Sequence, residues 1–252
     1  MSAYPDLSGQ NIFITGAARG LGKSMALKLA ACGATVAVAD LVLLECEAVA
    51  DEIRAKGGQA HAYVVDVAVR KLFMAAAATF AVKCGRIDAV INNAMLLKYE
   101  PVEQISDETL TRMTAIGING SVWGAQALLA HYDAVRGGNL INMASPVAEK
   151  GFPNTAAYSA VKGAIVTLTK VLAAELGPRN IRVNTLAPGG VDTEGTRTLG
   201  MIGSDMEKQF VAATPLGRIG QPDDIGKIAV FLASDQSGWV TGERIVAAGG
   251  FV

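Results

Sequence analysis

Ile12-Phe13-Ile14-Thr15-Gly16-Ala17-Ala18-Arg19-Gly20-Leu21-Gly22 is the stretch that decides the fold. A short apolar run of β-type residues enters a glycine-dotted turn, and a helical pattern leaves it. Glycines allow a tight turn and let backbone N–H groups come close to a ligand. A helix starting near Leu21 offers free N–H groups and the positive end of its dipole to the same place. That combination suits a pyrophosphate. The spacing is G-x-x-x-G-x-G and not G-x-G-x-x-G, and a glycine-rich turn can also serve packing alone. Its position after a first strand and before a helix favours the phosphate reading.

The same alternation continues outward from this turn. Strands are expected near 11–15, 35–39, 60–65, 88–92, 139–144, 182–187 and 244–247. Helices are expected near 21–32, 43–56, 69–84, 106–131, 156–177 and 223–233. Continuous apolar strands separated by helices predict an α/β, doubly wound parallel sheet of about seven strands, with helices on both faces. No linker or composition shift divides the chain, so residues 1–252 are read as one domain. Residues 194–216 are glycine-dotted and polar with little period. A segment of that length is a candidate lid, the alternative being a plain surface excursion.

Composition narrows the function. Of 252 residues 51% are apolar and 18% charged, which suits a large core and argues against disorder. The net charge of −1, with no basic stripe, gives nucleic acid binding no electrostatic support. No apolar run reaches the roughly 18 residues of a membrane span. Met1–Gly9 lacks a signal pattern, and Cys32, Cys46 and Cys84 read as reduced core thiols, so a cytoplasmic location is expected. His61 and His131 stand far apart with no third ligand, and no metal site is expected.

Candidate binding residues fall after strands, at the carboxyl ends where open α/β sheets take ligands. Asp40 ends the second strand, eighteen residues past Gly22, a suitable distance for an acid that bonds an adenosine ribose. A carboxylate there repels a 2′-phosphate and favours NAD over NADP; Arg19 argues the other way, since guanidinium pairs with phosphate. Asp66-Val67 ends the third strand, where the acid could meet the adenine amine or cap a helix. Asn92 and Asn93 end the fourth and need partners that tie neighbouring strands. Gly117-Ile118-Asn119-Gly120 is a weak spot in a helix, suited to a bend, a freed carbonyl or close packing. Trp123 and Trp239 read as core or interface residues. Pro188-Gly189-Gly190-Val191-Asp192-Thr193 follows another strand, and Thr193 could bond a phosphate or a carboxamide.

Tyr158-Ser159-Ala160-Val161-Lys162 places a phenol and an amine four residues apart on one helical face. A free phenol has a pKa of about 10, too high for neutral acid–base work. An ammonium about 4 Å away, at an effective dielectric near 20, favours the phenolate by roughly 4 kcal/mol, or about three pKa units. Thirteen residues before Tyr158, Ser145 ends an apolar strand run. Spacing alone also fits a helix with a half-buried tyrosine and a solvated lysine.

Taken together, Thr15-Gly-Ala-Ala-Arg-Gly-Leu-Gly22, Asp40, Asp66, Asn92-Asn93-Ala94, Asn119, Ser145, Tyr158-x-x-x-Lys162 and Pro188-Gly189 with Thr193 resemble the short-chain dehydrogenase/reductase family over nearly the whole chain. The resemblance implies a Rossmann-like fold, a nicotinamide cofactor and reversible alcohol/carbonyl oxidoreduction on a small-molecule substrate. It makes Tyr158 the general acid/base, Lys162 its pKa-lowering partner on the nicotinamide ribose, Ser145 the donor to the substrate oxygen and Asn119 the anchor of a proton-relay water. Cofactor contacts would come from Gly16, Arg19, Gly20, Leu21 and Gly22, from Asp40 and Leu41, and from Asp66 and Val67. Asn93, Ala94, Tyr158, Lys162, Pro188, Gly189, Val191 and Thr193 complete that set. Met95, Pro146, Phe152 and Gly190 are the expected substrate wall, beside Ser145 and Tyr158. The resemblance also implies a homotetramer. Three departures stand out. Met95 replaces a usual glycine, Glu149-Lys150 put charge in a loop that is often apolar, facing either a polar substrate or solvent, and Ala247-Ala248-Gly249-Gly250 lacks a common aspartate. The favoured reading is an NAD-dependent dehydrogenase of a secondary alcohol or ketone. An NADP-linked carbonyl reductase and a non-catalytic dinucleotide sensor are the alternatives.

Overall fold

The computed structural model describes residues 5–251; residues 1–4 and 252, at the two ends of the expected domain, lie outside them. Seven strands form one parallel sheet: β1 (Asn11–Thr15), β2 (Thr35–Asp40), β3 (Gln59–Val64), β4 (Ala89–Asn92), β5 (Gly138–Met143), β6 (Ile181–Pro188) and β7 (Arg244–Ala247). Their order is β3-β2-β1-β4-β5-β6-β7. The sheet grows one way from β1 to β3, then crosses back to place β4 on the other side of β1. That reversal opens a crevice at the carboxyl ends of β1 and β4.

The strands are apolar on both faces because both faces are covered. Alternate side chains divide between two cores. Ile12, Ile14, Val36, Val38, Ile91 and Ile141 pack with Met25, Leu29, Val49, Ile53, Ala229 and Val230. These come from α1 (Gly20–Ala31), α2 (Leu43–Ala55) and, later in the chain, a helix over Pro222–Ala233. Phe13, Ala37, Val90 and Leu140 face the other way, onto Phe73, Phe80, Leu128 and Leu176. Those belong to α3 (Arg70–Cys84) and to two helices described next. Rings fill this second core, with Phe13 5.7 Å from Phe73 and 6.0 Å from Phe80, centroid to centroid.

The stretch expected as one helix over 106–131 is interrupted. α4 (Asp107–Thr114) leads into a π turn over Ala115–Asn119, and α5 (Gly120–His131) follows. The turn holds the weak helix formers Gly117 and Asn119 and is followed by Gly120, and the Ser121 hydroxyl donates to the Gly117 carbonyl at 2.6 Å. Close packing contributes as well: a methyl group at Gly124 would strike the Asn92 amide. α6 (Ala156–Leu176) then runs as one long helix. Residues 194–216 hold two short helices, α7 (Glu194–Thr198) and α8 (Asp205–Ala213), too brief for a sequence period to show. α9 is the Pro222–Ala233 helix, with proline and two aspartates in its first turn.

The strand-end asparagines tie neighbouring elements together, with Asn92 Oδ1 left buried and without a hydrogen-bond partner among the described residues. Asn92 Nδ2 donates to Asn142 Oδ1 at 2.8 Å, and Asn142 Nδ2 donates to Thr169 Oγ1 at 2.9 Å, tying β4 to β5 and α6. Asn142 is fully buried. Replacing Asn142 by leucine strands both partners, and should lower the unfolding free energy by about 2–4 kcal/mol with an unchanged m-value in urea denaturation.

Candidate active site

A cavity of about 330 Å³ lies at the carboxyl ends of β1, β4, β5 and β6. One end is the first turn. Gly16 has φ +63°, and a side chain on it would press against Ala94 Cα at 2.8 Å, so only glycine fits. Asn93 Nδ2 donates to the carbonyls of Thr15 at 3.0 Å and Gly16 at 2.8 Å, fixing the turn to the end of β4. The Asp40 carboxylate is aimed by two amides: Ala18 N–H at 3.1 Å and Leu41 N–H at 2.8 Å. α1 brings no side-chain cap and no acid in its first turn. Instead Gly20 N–H donates to Glu194 Oε2 at 3.0 Å, so a carboxylate occupies the amide end of the helix. This cradle of glycine backbone and free helix N–H groups accepts an anion, and it fits the phosphates of a dinucleotide.

The other end holds Ser145, Tyr158 and Lys162. Ser145 leaves β5 in extended conformation. Its hydroxyl faces the Tyr158 phenol and favours the phenolate. Lys162 is 3% exposed; its Nζ lies 5.5 Å from the Tyr158 ring centroid and donates to the Met143 carbonyl at 2.7 Å. Burial pushes the phenol well above its usual value, and Tyr99 adds to the rise against the Ser145 hydroxyl. Burial brings the Lys162 amine down to about 7. The expected Coulombic lowering of the phenol is therefore overruled in this arrangement. Removing both groups from water favours their neutral forms, and the amine lies over the ring while bonded to a carbonyl.

Most of the residues expected at the site meet in this one cavity. Gly16, Arg19, Gly20, Leu21, Asp40, Leu41, Asp66, Val67, Asn93, Ala94, Met95, Ser145, Tyr158, Lys162, Pro188, Gly189, Val191 and Thr193 all line it. Asp66 does double service: Oδ1 accepts from Ala68 N–H at 3.0 Å and Oδ2 from Arg112 Nη2 at 2.9 Å. Thr193 caps α7 through a reciprocal pair with Thr196.

Five of the expected residues do not line this cavity. Asn119 is exposed and does not line the cavity. The residue of the π turn that faces α6 is Gly117, whose missing side chain leaves room for Val161 and for Met95 Sδ. Gly22 packs inward, where a methyl group would strike the Gly16 carbonyl and Asn93. Pro146 is buried at the head of a short 3₁₀ turn. Phe152 stacks on Phe210 at 6.1 Å and Phe251 at 5.8 Å, outside the cavity. Gly190 is covered by Met201 and Phe210. Of the two charged residues after Ser145, Glu149 pairs with Arg244 at 2.6 Å and Lys150 lies over the Phe251 ring at 4.5 Å; both are exposed. Phe251 supplies packing after the Ala-Ala-Gly-Gly stretch despite the absent aspartate.

Among the lining residues that were not expected at the site are Tyr99, Arg112 and Glu194. The Tyr99 ring meets Tyr158 edge-on at 5.6 Å. Its loop position after Asn93-Ala94 was a usable signal. Arg112 and Glu194 reach partners 46 and 174 residues away, and no local pattern announces them. Among the described residues no cluster of side chains suited to a metal ion occurs, and no helix is long and apolar enough to cross a membrane.

The family model described as enoyl-(acyl carrier protein) reductase matches residues 16–252. An uncharacterized oxidoreductase of Methylorubrum extorquens is 42% identical over 249 residues, covering 97% of this chain and 98% of the relative. The crystal structure of a gluconate 5-dehydrogenase from Burkholderia cenocepacia, in complex with NADP and tartrate, is 33% identical with a TM-score of 0.92, covering 98% of this chain and 96% of that one. A 7α-hydroxysteroid dehydrogenase complexed with NADH and 7-oxo glycochenodeoxycholic acid is 32% identical with a TM-score of 0.93, covering 97% and 95%. Matched along almost its whole length in sequence and in fold, this chain belongs to the short-chain dehydrogenase/reductase family of oxidoreductases.

Proposed function

We propose that the protein is an NAD-linked oxidoreductase acting on a small secondary alcohol or ketone, with Tyr158 handling the proton at the substrate oxygen. One observation carries this reading: Ser145, Tyr158 and Lys162 share a cavity with a glycine turn and a backbone-aimed Asp40. A nicotinamide dinucleotide held in the cavity would supply or accept the hydride and, in its oxidised form, would add a positive ring charge there. Asp40 accepts the ribose hydroxyls, and the Gly20 end of α1 holds phosphate. Ser145 orients the substrate oxygen toward Tyr158. The phenol, kept protonated by burial, gives its proton to a carbonyl that is being reduced; in the alcohol direction Lys162 in its ammonium form stabilises the phenolate. Met95, Leu97 and Tyr99 are assigned to the substrate wall, and residues 194–216 to the lid.

The dinucleotide preference rests on charge. Leu41, Val42 and Leu43 follow Asp40 on the surface, and no lysine or arginine occurs between Asp40 and Arg54. A 2′-phosphate would meet a carboxylate and apolar side chains there. Arg19, on the cavity lining, supports the NADP alternative. The resident Asp40 should make NAD bind more tightly than NADP in side-by-side titrations, and Asp40→Ala should weaken NAD about tenfold and narrow the difference.

Replacing Tyr158 by phenylalanine should lower turnover by about 10²–10⁴-fold, read at 340 nm across a panel of alcohols and ketones, with dinucleotide affinity changed less than about twofold. Retained turnover rejects the role of the phenol. The buried amine also sets a pH dependence of stability. Below about pH 7 Lys162 is charged whether folded or not, and its burial opposes folding in full. Between about 7 and the ordinary 10.5 the unfolded chain holds a proton that the folded chain has lost, so stability rises with pH. The raised phenol adds nothing until about pH 10, above which it lowers stability. Lys162→Met should therefore be more stable than the parent near pH 6, with the gap closing toward about pH 10 in urea midpoints.

A further inference from the structure

The N-terminus of α1 opens on the cavity without an anion of its own. Arg19 makes no side-chain cap bond, and the first turn has no acid, whereas α4, α8 and α9 each carry two acids there. The missing anion arrives from the far wall. Glu194, the first residue of α7, reaches the Gly20 amide at 3.0 Å. Gly20 has φ +55°, and a side chain on it would meet Glu194 Oε2 and Thr193 Cβ at 3.6 Å, so the two walls are in near contact. The start of α7, which carries Glu194, is fixed by its own contacts. Thr193 and Thr196 form the reciprocal cap of α7, and Arg197 grips Asp192 with two bonds at 2.7 and 2.9 Å. Among the described residues the Glu194 side chain enters no ion pair; Arg197, itself bound to Asp192, acts on it only through a Coulombic contact, and the Gly20 amide at the end of α1 is its hydrogen-bond partner.

We propose that Glu194 is an internal competitor for the pyrophosphate of the dinucleotide, an autoinhibitory contact that holds the start of the 194–216 segment against the first turn until a diphosphate displaces it. The inference rests on the dinucleotide reading above. One N–H group cannot serve a carboxylate and a phosphate at once, and two anions brought within about 4 Å repel each other. Displacement frees α7, whose Gly195 and Thr196 line the same cavity. Arrival of the diphosphate is thereby coupled to the position of the wall nearest the substrate. A contact that must open before binding lowers the apparent affinity by the fraction of molecules already open.

The test is isothermal titration of the full chain and of its Glu194→Gln and Glu194→Ala variants with NAD, ADP and adenosine. Both variants should bind NAD and ADP about threefold to tenfold more tightly than the parent, since one exposed charge contact at a helix end is removed, with adenosine unchanged because it has no phosphate. Equal or weaker binding of NAD and ADP by the variants overturns the competition while leaving the dinucleotide site in place. Equal tightening for adenosine overturns it too, because the gain would then not lie at the diphosphate. If none of the three proteins binds NAD or ADP, nor NADP in a further titration, the dinucleotide reading itself fails, and the competitor with it.

Discussion

The parallel pairing of β1 with β4 is the constraint on which the rest of the molecule depends. It is the place where the growth of the sheet reverses, and it leaves two strand ends side by side with no crossover above them. The backbone groups exposed there need partners. Thr15 Oγ1 accepts from the amides of Asn93 at 3.1 Å and Ala94 at 3.2 Å, and the Asn93 side chain spans two carbonyls of the first turn. One short seam of side chains therefore sets both the turn and the loop that begins the opposite wall. Gly16, pressed on Ala94, shows how little room the seam allows.

Burial governs the chemistry of the far end. Tyr158 and Lys162 lie so deep that each is displaced toward its uncharged form. A Coulomb estimate at a fixed separation omits this desolvation, and the omitted effect is the larger one here. That end of the cavity therefore favours uncharged forms of both groups. Charge enters with protonation of the amine or with a cationic ligand, so the acid–base behaviour belongs to the assembled site and not to either residue alone.

Much of the fold was legible because parallel strands buried on both faces leave continuous apolar runs, and each expected strand is found within about one residue of its place. The glycine turn and Asp40 were legible for a local reason: backbone conformation and strand-end position are written in neighbouring residues. Side-chain direction was not legible to the same degree. Asn119 has the residue type expected of a relay anchor, and only three-dimensional structure reveals that it points outward while Gly117 faces α6. Phe152 and Gly190 were close to the cavity in sequence terms, yet they pack on Phe210 and Met201 from the 194–216 segment. The Asp66–Arg112 pair depends on the approach of α4 to the end of β3, which no local spacing encodes.

The π turn over Ala115–Asn119 has a geometric consequence of its own. A π turn holds one residue more than an α turn, and one residue is worth about 100° of rotation about a helix axis. Positions beyond it are out of phase with positions before it. Met113 ahead of the bulge packs into the cluster around Tyr158 and Val161, while Gly124 beyond it seats against Asn92 of β4. Helical counting from Met113 into α5 therefore names the wrong side of the cylinder, and a single-residue deletion within the bulge would restore the phase only by swinging the whole of α5 away from the strand it is shaped to meet.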